Sequence, residues 1–322
     1  MVFDIIKYSP DRCSEWNAFV ARSKNGTFLF DRSYMDYHAD RFSDHSLMFY
    51  LDGKLFAMLP ANVSGQTLYS HQGLSYGGLI MSETVTTAKV CTLFEELNTF
   101  LSEQGIRKVI YRPVPWIFHH LPAEEDLYAI FLKCHAQLAG RDVSSTIIPD
   151  RPVKWKRDRH YAANKARTNG IIVRQTDDFP SFWAILSDNL MTKFGAKPVH
   201  SLQEIMLLRQ RFPQNIQLWA AYSPDGQMLA ATVLYIFTHV VHAQYISASE
   251  EGKRLHAVDG LFDHLLHKEF TNTPFFNLGT SNMPHSSDLH DSLIYQKEGF
   301  GGRAVCYDTY EWEIKDGSHP NN

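Results

Sequence analysis

The chain carries the same turn signal twice, each time between apolar segments that have the length of β-strands. The two signals are Asp52-Gly53 and Asp225-Gly226. An Asp-Gly pair in this setting predicts a β-hairpin, because the turn requires residues that tolerate positive φ. Upstream of each pair, residues 14–16 (Ser-Glu-Trp) match residues 181–183 (Ser-Phe-Trp). The shared order of these features predicts two copies of one α/β unit joined edge to edge.

Length and composition agree with two globular domains. The 322 residues are 44% hydrophobic and 20% charged, so each half is large enough for a core of its own. The segment 149–156 contains two prolines and several charges, which indicates a linker. We therefore predict a first unit over residues 1–150 and a second over residues 151–322.

Charge and cysteine usage exclude several classes of protein. The net charge of −4 provides no global basic field for DNA. The four cysteines form no Cys-x-x-Cys pair, which is typical of reduced thiols in a cytoplasmic protein. The first residues lack the features of a signal peptide, and no segment approaches the roughly 20 apolar residues that a membrane helix requires. We expect a cytoplasmic protein with no membrane span.

Hydrophobic periodicity predicts the order of helices and strands in both halves. In the first half we predict a strand at 3–8, helices at 11–23 and 33–42, the hairpin, a helix at 84–104 and a strand at 106–111. In the second half we predict a basic helix at 155–169, a strand at 171–175, helices from 178 and at 201–210, three strands within 216–247, a helix at 256–270, and strands at 275–278 and 305–314.

This order, taken twice, resembles the Fem family of peptidoglycan aminoacyltransferases and their relatives, which carry two GNAT acyltransferase units. Four segments support the resemblance: residues 76–78 (Tyr-Gly-Gly), 159–170 (Arg-His-Tyr-Ala-Ala-Asn-Lys-Ala-Arg-Thr-Asn-Gly), 277–280 (Asn-Leu-Gly-Thr) and 296–302 (Gln-Lys-Glu-Gly-Phe-Gly-Gly). The long two-helix arm of some peptidoglycan members has no counterpart, because no segment shows sustained heptads. The resemblance covers nearly the whole chain and implies an α/β (α+β) fold of two tandem units with mixed, centrally splayed sheets flanked by helices.

The resemblance also implies an N-acyltransferase whose second unit binds the acyl donor between splayed strands at 242–247 and 275–278, where backbone groups lack sheet partners. The donor-binding residues that it implies are Ser247, Ser249, Gly252, Lys253, Arg254, Leu255 and Asn282. The expected phosphate loop, 249–256, has a single glycine, and its Glu-Glu pair would repel a pyrophosphate. Acyl-CoA and aminoacyl-tRNA therefore both remain open as donors, and we expect no tightly bound cofactor.

Amide formation requires a neutral amine, a proton acceptor and donors for the oxyanion. No cysteine has a plausible catalytic histidine partner, which favours direct attack by the acceptor amine. Fold analogy implies that the backbone N–H of Ile246 or Ser247 binds the oxyanion. Tyr295 and Asp259 are the acid–base candidates, although a packing role for the tyrosine and a solvated helix face for the aspartate are the simpler explanations.

We expect the acceptor to be the amine of a sugar, a nucleotide-sugar or a cell-wall precursor, bound in a cleft between the units. The acceptor-binding candidates are Tyr76, Gly77, Arg112, Arg157, Lys165 and Lys297. Arg157, Lys165 and Lys297 are the expected phosphate ligands among them. An ordinary exposed basic helix is the alternative for Arg157 and Lys165. Aromatic and basic residues also alternate at 155–161, which would suit RNA if aminoacyl-tRNA is the donor.

The sixteen histidines form no paired metal-ligand spacing, and the His and Asp residues at 256–267 lie on the polar side of an amphipathic helix, so we expect no metal.

Two alternatives to an enzyme remain. The chain could instead be a non-catalytic glycan- or nucleotide-binding protein on a degenerate GNAT fold. An interaction module of a surface-polysaccharide complex is the third hypothesis, which an exposed apolar patch without a pocket would support.

Overall fold

The computed structural model describes residues 2–283 and 286–314. The described chain forms two compact units. Residues 2–142 and 306–314 belong to the first, and Val143–Val305 form the second. The predicted domain division at 150/151 stays a prediction.

The first unit contains most of its strands and helices before residue 142. In chain order they are β1 (Asp4–Lys7), α1 (Cys13–Arg22), α2 (Arg32–Met35), β2 (Ser43–Asp44), β3 (Leu47–Leu51), β4 (Lys54–Leu59), β5 (Asn62–Ser64), β6 (Thr67–Tyr69), β7 (Ile80–Met81), α3 (Thr87–Glu103), β8 (Lys108–Tyr111), α4 (Glu125–Cys134) and β9 (Gln137–Ile147), whose end lies in the second unit. Strands β1, β3, β4 and β7 pair in that order, all antiparallel. Strand β6 pairs parallel to β8 and antiparallel to β5.

The second unit repeats the opening of the first. Its elements are α5 (Arg157–Thr168), β10 (Ile172–Thr176), α6 (Phe179–Phe194), α7 (Leu202–Arg211), β11 (Ile216–Tyr222), β12 (Met228–Ile236), β13 (Val240–Ala248), α8 (Glu250–Arg254), α9 (Ala257–His264), β14 (Phe275–Thr280) and α10 (Asp291–Gly299), and the chain then enters β15 (Arg303–Glu313). Strands β10 to β14 pair in sequence order, and β14 also pairs with the end of β9. Only the β13–β14 contact in this set is parallel. Strand β15 pairs antiparallel with β8 of the first unit, to which Cys306 onward belongs.

The two predicted hairpins are present, but their turns differ. Asp52 and Gly53 have φ of 51° and 72°, the positive values that a tight two-residue turn between β3 and β4 requires. Between β11 and β12 only Gly226 has positive φ, at 88°. That loop is longer and is closed by the N–H of Ser223, which donates to the carbonyl of Gln227 at 2.9 Å.

The matched tryptophans make the same contact in each unit. Trp16 on α1 and Trp183 on α6 are both buried. The indole N–H of Trp16 donates to the carbonyl of Phe30 at 2.7 Å, and that of Trp183 to the carbonyl of His200 at 3.1 Å. Each carbonyl lies between the two helices that follow the first strand of its unit. A shared anchoring bond at matched positions supports an internal duplication.

Each unit has its own hydrophobic core. In the first unit one face of α3 packs into the core through Val90, Leu93, Phe94, Leu97 and Leu101, at the spacing of an amphipathic helix. In the second unit α9 contributes Leu261 and Phe262, and the Phe262 ring lies 6.1 Å from that of Phe276 on β14. Within residues 2–283 and 286–314, no helix is long and apolar enough to cross a membrane.

Candidate functional site

The parallel strands β13 and β14 pair only at their beginnings. The paired residues are Val240 with Phe275, Val241 with Phe276 and His242 with Asn277. Beyond this point β13 continues along β12, whereas β14 continues along β9. The two strands therefore diverge, as the predicted splayed sheet requires.

A cavity of about 710 Å³ lies in the second unit where the strands diverge. Strand β13 contributes Ile246, Ser247 and Ala248, and β14 contributes Leu278. Three helices complete the wall with residues at helical spacing. These are Leu186, Asn189, Leu190 and Lys193 on α6, Val258 and Phe262 on α9, and Leu293, Gln296 and Lys297 on α10, followed by Phe300.

The edge of β13 presents Ile246 to this cavity. The N–H of Ser249 donates to the carbonyl of Leu229, which makes Ala230 and Ala248 a pair without mutual hydrogen bonds. Because the pattern alternates, Ser247 bonds to β12 through its backbone, while the N–H and C=O of Ile246 point away from β12. Of the two expected oxyanion donors, Ile246 thus offers its backbone N–H, and Ser247 has only its hydroxyl near the cavity.

Lys297 places a buried amine in the cavity wall. Only 6% of the residue is exposed, and its Nζ donates to the carbonyls of Gly279 at 3.0 Å and Thr280 at 2.6 Å. Burial lowers the pKa of this amine from 10.5 to about 7. At neutral pH, Lys297 therefore exists in both its charged and its neutral form.

A buried polar network fixes the point where the strands separate. The Oδ1 of Asn277 accepts from Nδ1 of His242 at 2.7 Å and from the N–H of Gly279 at 2.9 Å. Its Nδ2 donates to the hydroxyls of Ser144 and Thr146, both at 2.8 Å. Burial lowers the pKa of His242 to about 4, so this imidazole is neutral at pH 7 and its donor role at Nδ1 is consistent.

The segment predicted as an open phosphate loop is helical instead. It forms α8, and the Oγ of Ser249 accepts from the N–H of Gly252 at 3.0 Å. Glu250 forms an ion pair with Lys253, and Glu251 forms one with Arg254. The two cations predicted to hold a phosphate are therefore already paired within their own helical turn.

Gly252 has a packing role in α8. A Cβ at this position would come within 2.0 Å of the carbonyl oxygen of Leu229. Leu255, the residue directly after α8, is half-buried and packs against the core. Of the expected donor-binding residues, the cavity brings together Ser247, Lys253 and Asn282, whereas Ser249, Gly252, Arg254 and Leu255 do not line it.

Neither acid–base candidate lines the cavity. Asp259 is buried and accepts from Arg159 at 2.8 Å; burial raises the pKa of its carboxyl, and the arginine opposes that shift. Tyr295 is 52% exposed, and Nζ of Lys156 lies 3.5 Å from the centre of its ring. The structure gives Asp259 the role of joining α5 to α9 and gives Tyr295 a cation–π contact at the surface.

The acceptor candidates are dispersed. Tyr76 is buried and donates its hydroxyl proton to Thr27 at 3.4 Å. A Cβ at Gly77 would lie 1.6 Å from the carbonyl oxygen of Ser70, so close backbone packing requires this glycine. Arg112 lines a separate cavity of about 370 Å³ in the first unit.

The remaining acceptor candidates all belong to the second unit. Arg157 and Lys165 are exposed on α5 and do not line the cavity of about 710 Å³. Nζ of Lys165 lies 5.6 Å from the ring centre of Tyr161. Lys297 is the one acceptor candidate in the wall of the large cavity.

The corresponding strand edge in the first unit is filled by the chain itself. Asn25 donates its Nδ2 to the carbonyl of Leu79 at 2.8 Å, and its Oδ1 accepts from the N–H of Met81 at 2.9 Å. The N–H of Lys24 donates to the carbonyl of Met81, and the N–H of Leu79 donates to the hydroxyl of Tyr111. The side-chain amide of Asn25 thus occupies backbone groups at the edge of β7 that a donor amide would otherwise use.

Sequence reasoning missed several residues of the cavity wall. Asn189 and Lys193 recur on the α6 face that carries Leu186 and Leu190, and Gln296 lies beside Lys297 on α10. A polar residue within the apolar face of a helix is the signal that identifies such positions. Among residues 2–283 and 286–314, no three His, Cys, Asp or Glu side chains are grouped for a metal ion.

Solved structures share this architecture, although no protein-family model and no curated protein matches the sequence. The chain is similar to FemX, with a TM-score of 0.67, 9% identity and 97% of both chains covered. It is similar to L-PGS from Bacillus licheniformis, with a TM-score of 0.60, 14% identity, and 98% of this chain and 94% of that chain covered. A tandem GNAT protein from the clavulanic acid biosynthesis pathway gives a TM-score of 0.53 at 8% identity, covering 98% of this chain and 100% of that chain.

Identities this low establish the fold and leave the substrates open. The expected fold class is confirmed, since mixed sheets flanked by helices occur in this chain and the similar structures include a tandem GNAT protein. The protein has a Fem-like tandem GNAT fold.

Proposed function

We propose that the protein is an N-acyltransferase. It transfers an acyl or aminoacyl group from a coenzyme A thioester or an aminoacyl-tRNA ester to the amine of a sugar, a nucleotide-sugar or a cell-wall precursor. The observation that carries this proposal is the divergence of β13 and β14, which opens a cavity between the backbone of Ile246 and the amine of Lys297. The proposed donors are cytoplasmic, so we place the reaction in the cytoplasm.

The proposed step is direct attack on the activated carbonyl. The nitrogen of the acceptor amine forms a bond to the carbonyl carbon, and the carbonyl oxygen becomes an oxyanion near the N–H of Ile246. The intermediate then collapses: the bond from carbon to the sulfur or oxygen of the carrier breaks, and the leaving group takes up a proton. The amine loses one proton in forming the amide, so the step needs a proton acceptor.

Lys297 is suited to accept that proton. Two of its hydrogens point to the carbonyls of Gly279 and Thr280, which in the neutral amine leaves the lone pair as the remaining position on Nζ. A pKa of about 7 places the group near the value at which a general base works best at neutral pH. The low pKa results from burial, which disfavours the charged amine.

The ion pairs within α8 help to distinguish coenzyme A from an aminoacyl-tRNA as the donor. A coenzyme A diphosphate would meet Glu250 and Glu251, and the cations beside them are already neutralised. This arrangement favours an aminoacyl ester, whose carrier does not present a diphosphate at this position. For the acceptor, the exposed cations of α5, Arg157 and Lys165, suit the phosphates of a nucleotide-sugar.

The proposal is tested with the purified protein and two donor panels, acyl-CoA thioesters and aminoacyl-tRNAs, each offered amino sugars, nucleotide amino sugars and cell-wall precursors. Mass spectrometry detects the new amide. Calorimetric titration with acetyl-CoA, repeated on Lys253→Ala/Arg254→Ala, identifies the donor class. Binding that the double variant loses assigns coenzyme A, and absence of binding by the wild type assigns the aminoacyl ester if that panel yields amide.

Lys297→Met is expected to lower the rate of amide formation by roughly 100-fold or more, the usual contribution of a positioned base. If neither panel yields amide while the protein binds a nucleotide-sugar, the non-catalytic binding protein is the better description. The paired α8 charges are the observation that favours this second candidate.

A further inference from the structure

We infer that the second-unit cavity selects a donor whose transferred group is large and apolar, either a medium-length fatty acyl chain or the side chain of an apolar aminoacyl group. This inference rests on the proposed function and specifies its substrate class. It follows from two features of the cavity wall: the floor is apolar, and two amide side chains around it are already hydrogen-bonded within the protein.

The floor of the cavity is apolar. Phe262, Leu278 and Phe300 are nearly fully buried and line it, and the rings of Phe262 and Phe300 lie 5.3 Å apart. Val258 and Leu293 extend the same surface from α9 and α10 and are half-buried. These five side chains come from elements on both sides of the strand divergence and form a surface that only an apolar group can cover without loss.

Two amide side chains of the wall are already engaged within the protein. Asn189 donates to the hydroxyl of Ser247 at 2.9 Å and to the carbonyl of Ala248 at 2.7 Å, and its Oδ1 accepts from Lys253 at 2.8 Å. Asn282 accepts from the N–H of Val143 at 2.8 Å and donates to a neighbouring carbonyl. A polar acyl group would therefore find both amides already bonded and would lose its hydration on entry.

The size of the cavity agrees with its chemistry. Its volume of about 710 Å³ is typical of pockets that hold whole small molecules. An acetyl group has three heavy atoms and, at roughly the 30 Å³ that one water occupies in the liquid, fills on the order of 100 Å³. An acetyl group would leave the half-buried Val258 and Leu293 in contact with water, whereas a longer chain would cover them.

The test uses probes that cannot react, so that binding is separated from transfer. N-acylcysteamines from acetyl to decanoyl represent the fatty acyl source, and amides of glycine, leucine and phenylalanine represent the aminoacyl source. Calorimetry should show affinity rising about fourfold per added methylene, which corresponds to about 0.8 kcal/mol for each buried CH₂. A flat series in both arms, or tightest binding of the acetyl and glycine probes, would overturn the inference.

The two arms distinguish the source of the apolar group. A steep rise in the fatty acyl arm alone assigns an acyl chain, and preference for the leucine or phenylalanine amide over glycine assigns an aminoacyl side chain. Chain-length-dependent binding without any transfer would remove the proposed function and leave the ligand class intact. Efficient transfer restricted to acetyl or glycyl groups would support the function and remove this inference.

A variant of the floor provides the structural control. Val258→Phe adds volume at a half-buried position and should shorten the preferred chain, lowering decanoyl affinity at least tenfold while acetyl affinity stays within twofold. Ile172→Phe, at a position on β10 that is 58% exposed and outside the cavity, should leave the whole series unchanged. An equal loss for decanoyl and acetyl probes in Val258→Phe would contradict the placement of the chain on this floor.

Discussion

The Lys297 amine is subject to two opposing effects. Its hydrogen bonds to the carbonyls of Gly279 and Thr280 favour the charged form, whereas removal from water favours the neutral form. Burial is the larger effect, because the pKa falls to about 7. Lys297 has both a lowered pKa and a place in the cavity wall. The two features together make it the candidate for the proton acceptor in the proposed reaction.

This pKa predicts the pH dependence of amide formation. The rate at limiting donor should rise with pH through about 7, as Lys297 loses its proton and becomes able to accept one. Lys297→Met should remove this limb of the profile, and Lys297→Arg, which stays charged, should be inactive throughout. A pH–rate profile of the three proteins tests this, and a limb near 7 that persists in Lys297→Met would assign the titration to another group.

The same pKa predicts a stability effect. The folded-state value of about 7 lies below the ordinary value of 10.5, so the unfolded chain binds more protons between these pH values. Stability therefore rises with pH across this window, and the contribution of Lys297 is lost as pH falls from 10.5 to 7. Lys297→Met lacks this dependence. The free energy of unfolding of the variant minus that of the wild type should therefore be more positive at pH 7 than at pH 10, by a few kcal/mol.

Urea unfolding of both proteins at pH 7 and pH 10 measures this difference. The comparison between variant and wild type cancels the other groups that titrate in the range. An identical difference at both pH values would show that the folded-state pKa of Lys297 is not lowered.

At the scale of elements, the local sequence of α8 predicts a loop, whereas the structure has a helix there. The run Ser249 to Arg254 is polar and contains a glycine, a pattern typical of a loop. The same residues cap and pair within one helical turn, through Ser249 at the N-cap and Glu–Lys and Glu–Arg pairs three residues apart. The reason for the glycine lies in the neighbouring strand β12, which the local sequence does not reveal.

Gly252→Ala tests this explanation of α8. The added Cβ would overlap the carbonyl oxygen of Leu229, so we expect the free energy of unfolding to fall by about 1–3 kcal/mol, as in other overpacked interiors. Gly140→Ala is the matched control, because its nearest neighbour would lie 3.8 Å away, and it should change stability by about 0.5 kcal/mol or less. Equal effects of the two substitutions in urea unfolding would refute a packing role for Gly252.

Other elements were predictable because their signals are local. The Asp-Gly hairpins, the apolar face of α3 and the splayed strands all follow from turn chemistry, periodicity or the family resemblance. The walls of the donor cavity depend on three helix faces that meet only in the folded unit. Asn189 and Gln296 are polar residues on such helix faces, but only the folded unit shows that these faces border a cavity. Exposed positions such as Tyr295 could not be told from buried ones.

At the scale of the whole molecule, the two units differ at their corresponding strand edges. Both keep the tryptophan bond between the first helices, through Trp16 and Trp183. In the second unit the edge of β13 borders a cavity, whereas in the first the amide of Asn25 fills the edge of β7. In the sequence, Asn25 belongs to an Asn-Gly-Thr segment that indicates only a turn, so the filled edge could not be anticipated.

This difference predicts one donor site per chain. Titration with a non-reactive donor analogue should give a stoichiometry of one, and Leu293→Trp, which fills the second-unit cavity from α10, should abolish binding altogether. Asn25→Ala should leave the stoichiometry and affinity unchanged, because it acts in the other unit. It should nevertheless lower the free energy of unfolding by about 1–3 kcal/mol, since the backbone groups of Leu79 and Met81 lose their partner. Two sites per chain, or residual binding in Leu293→Trp, would mean that the first unit also accepts a donor despite its filled edge.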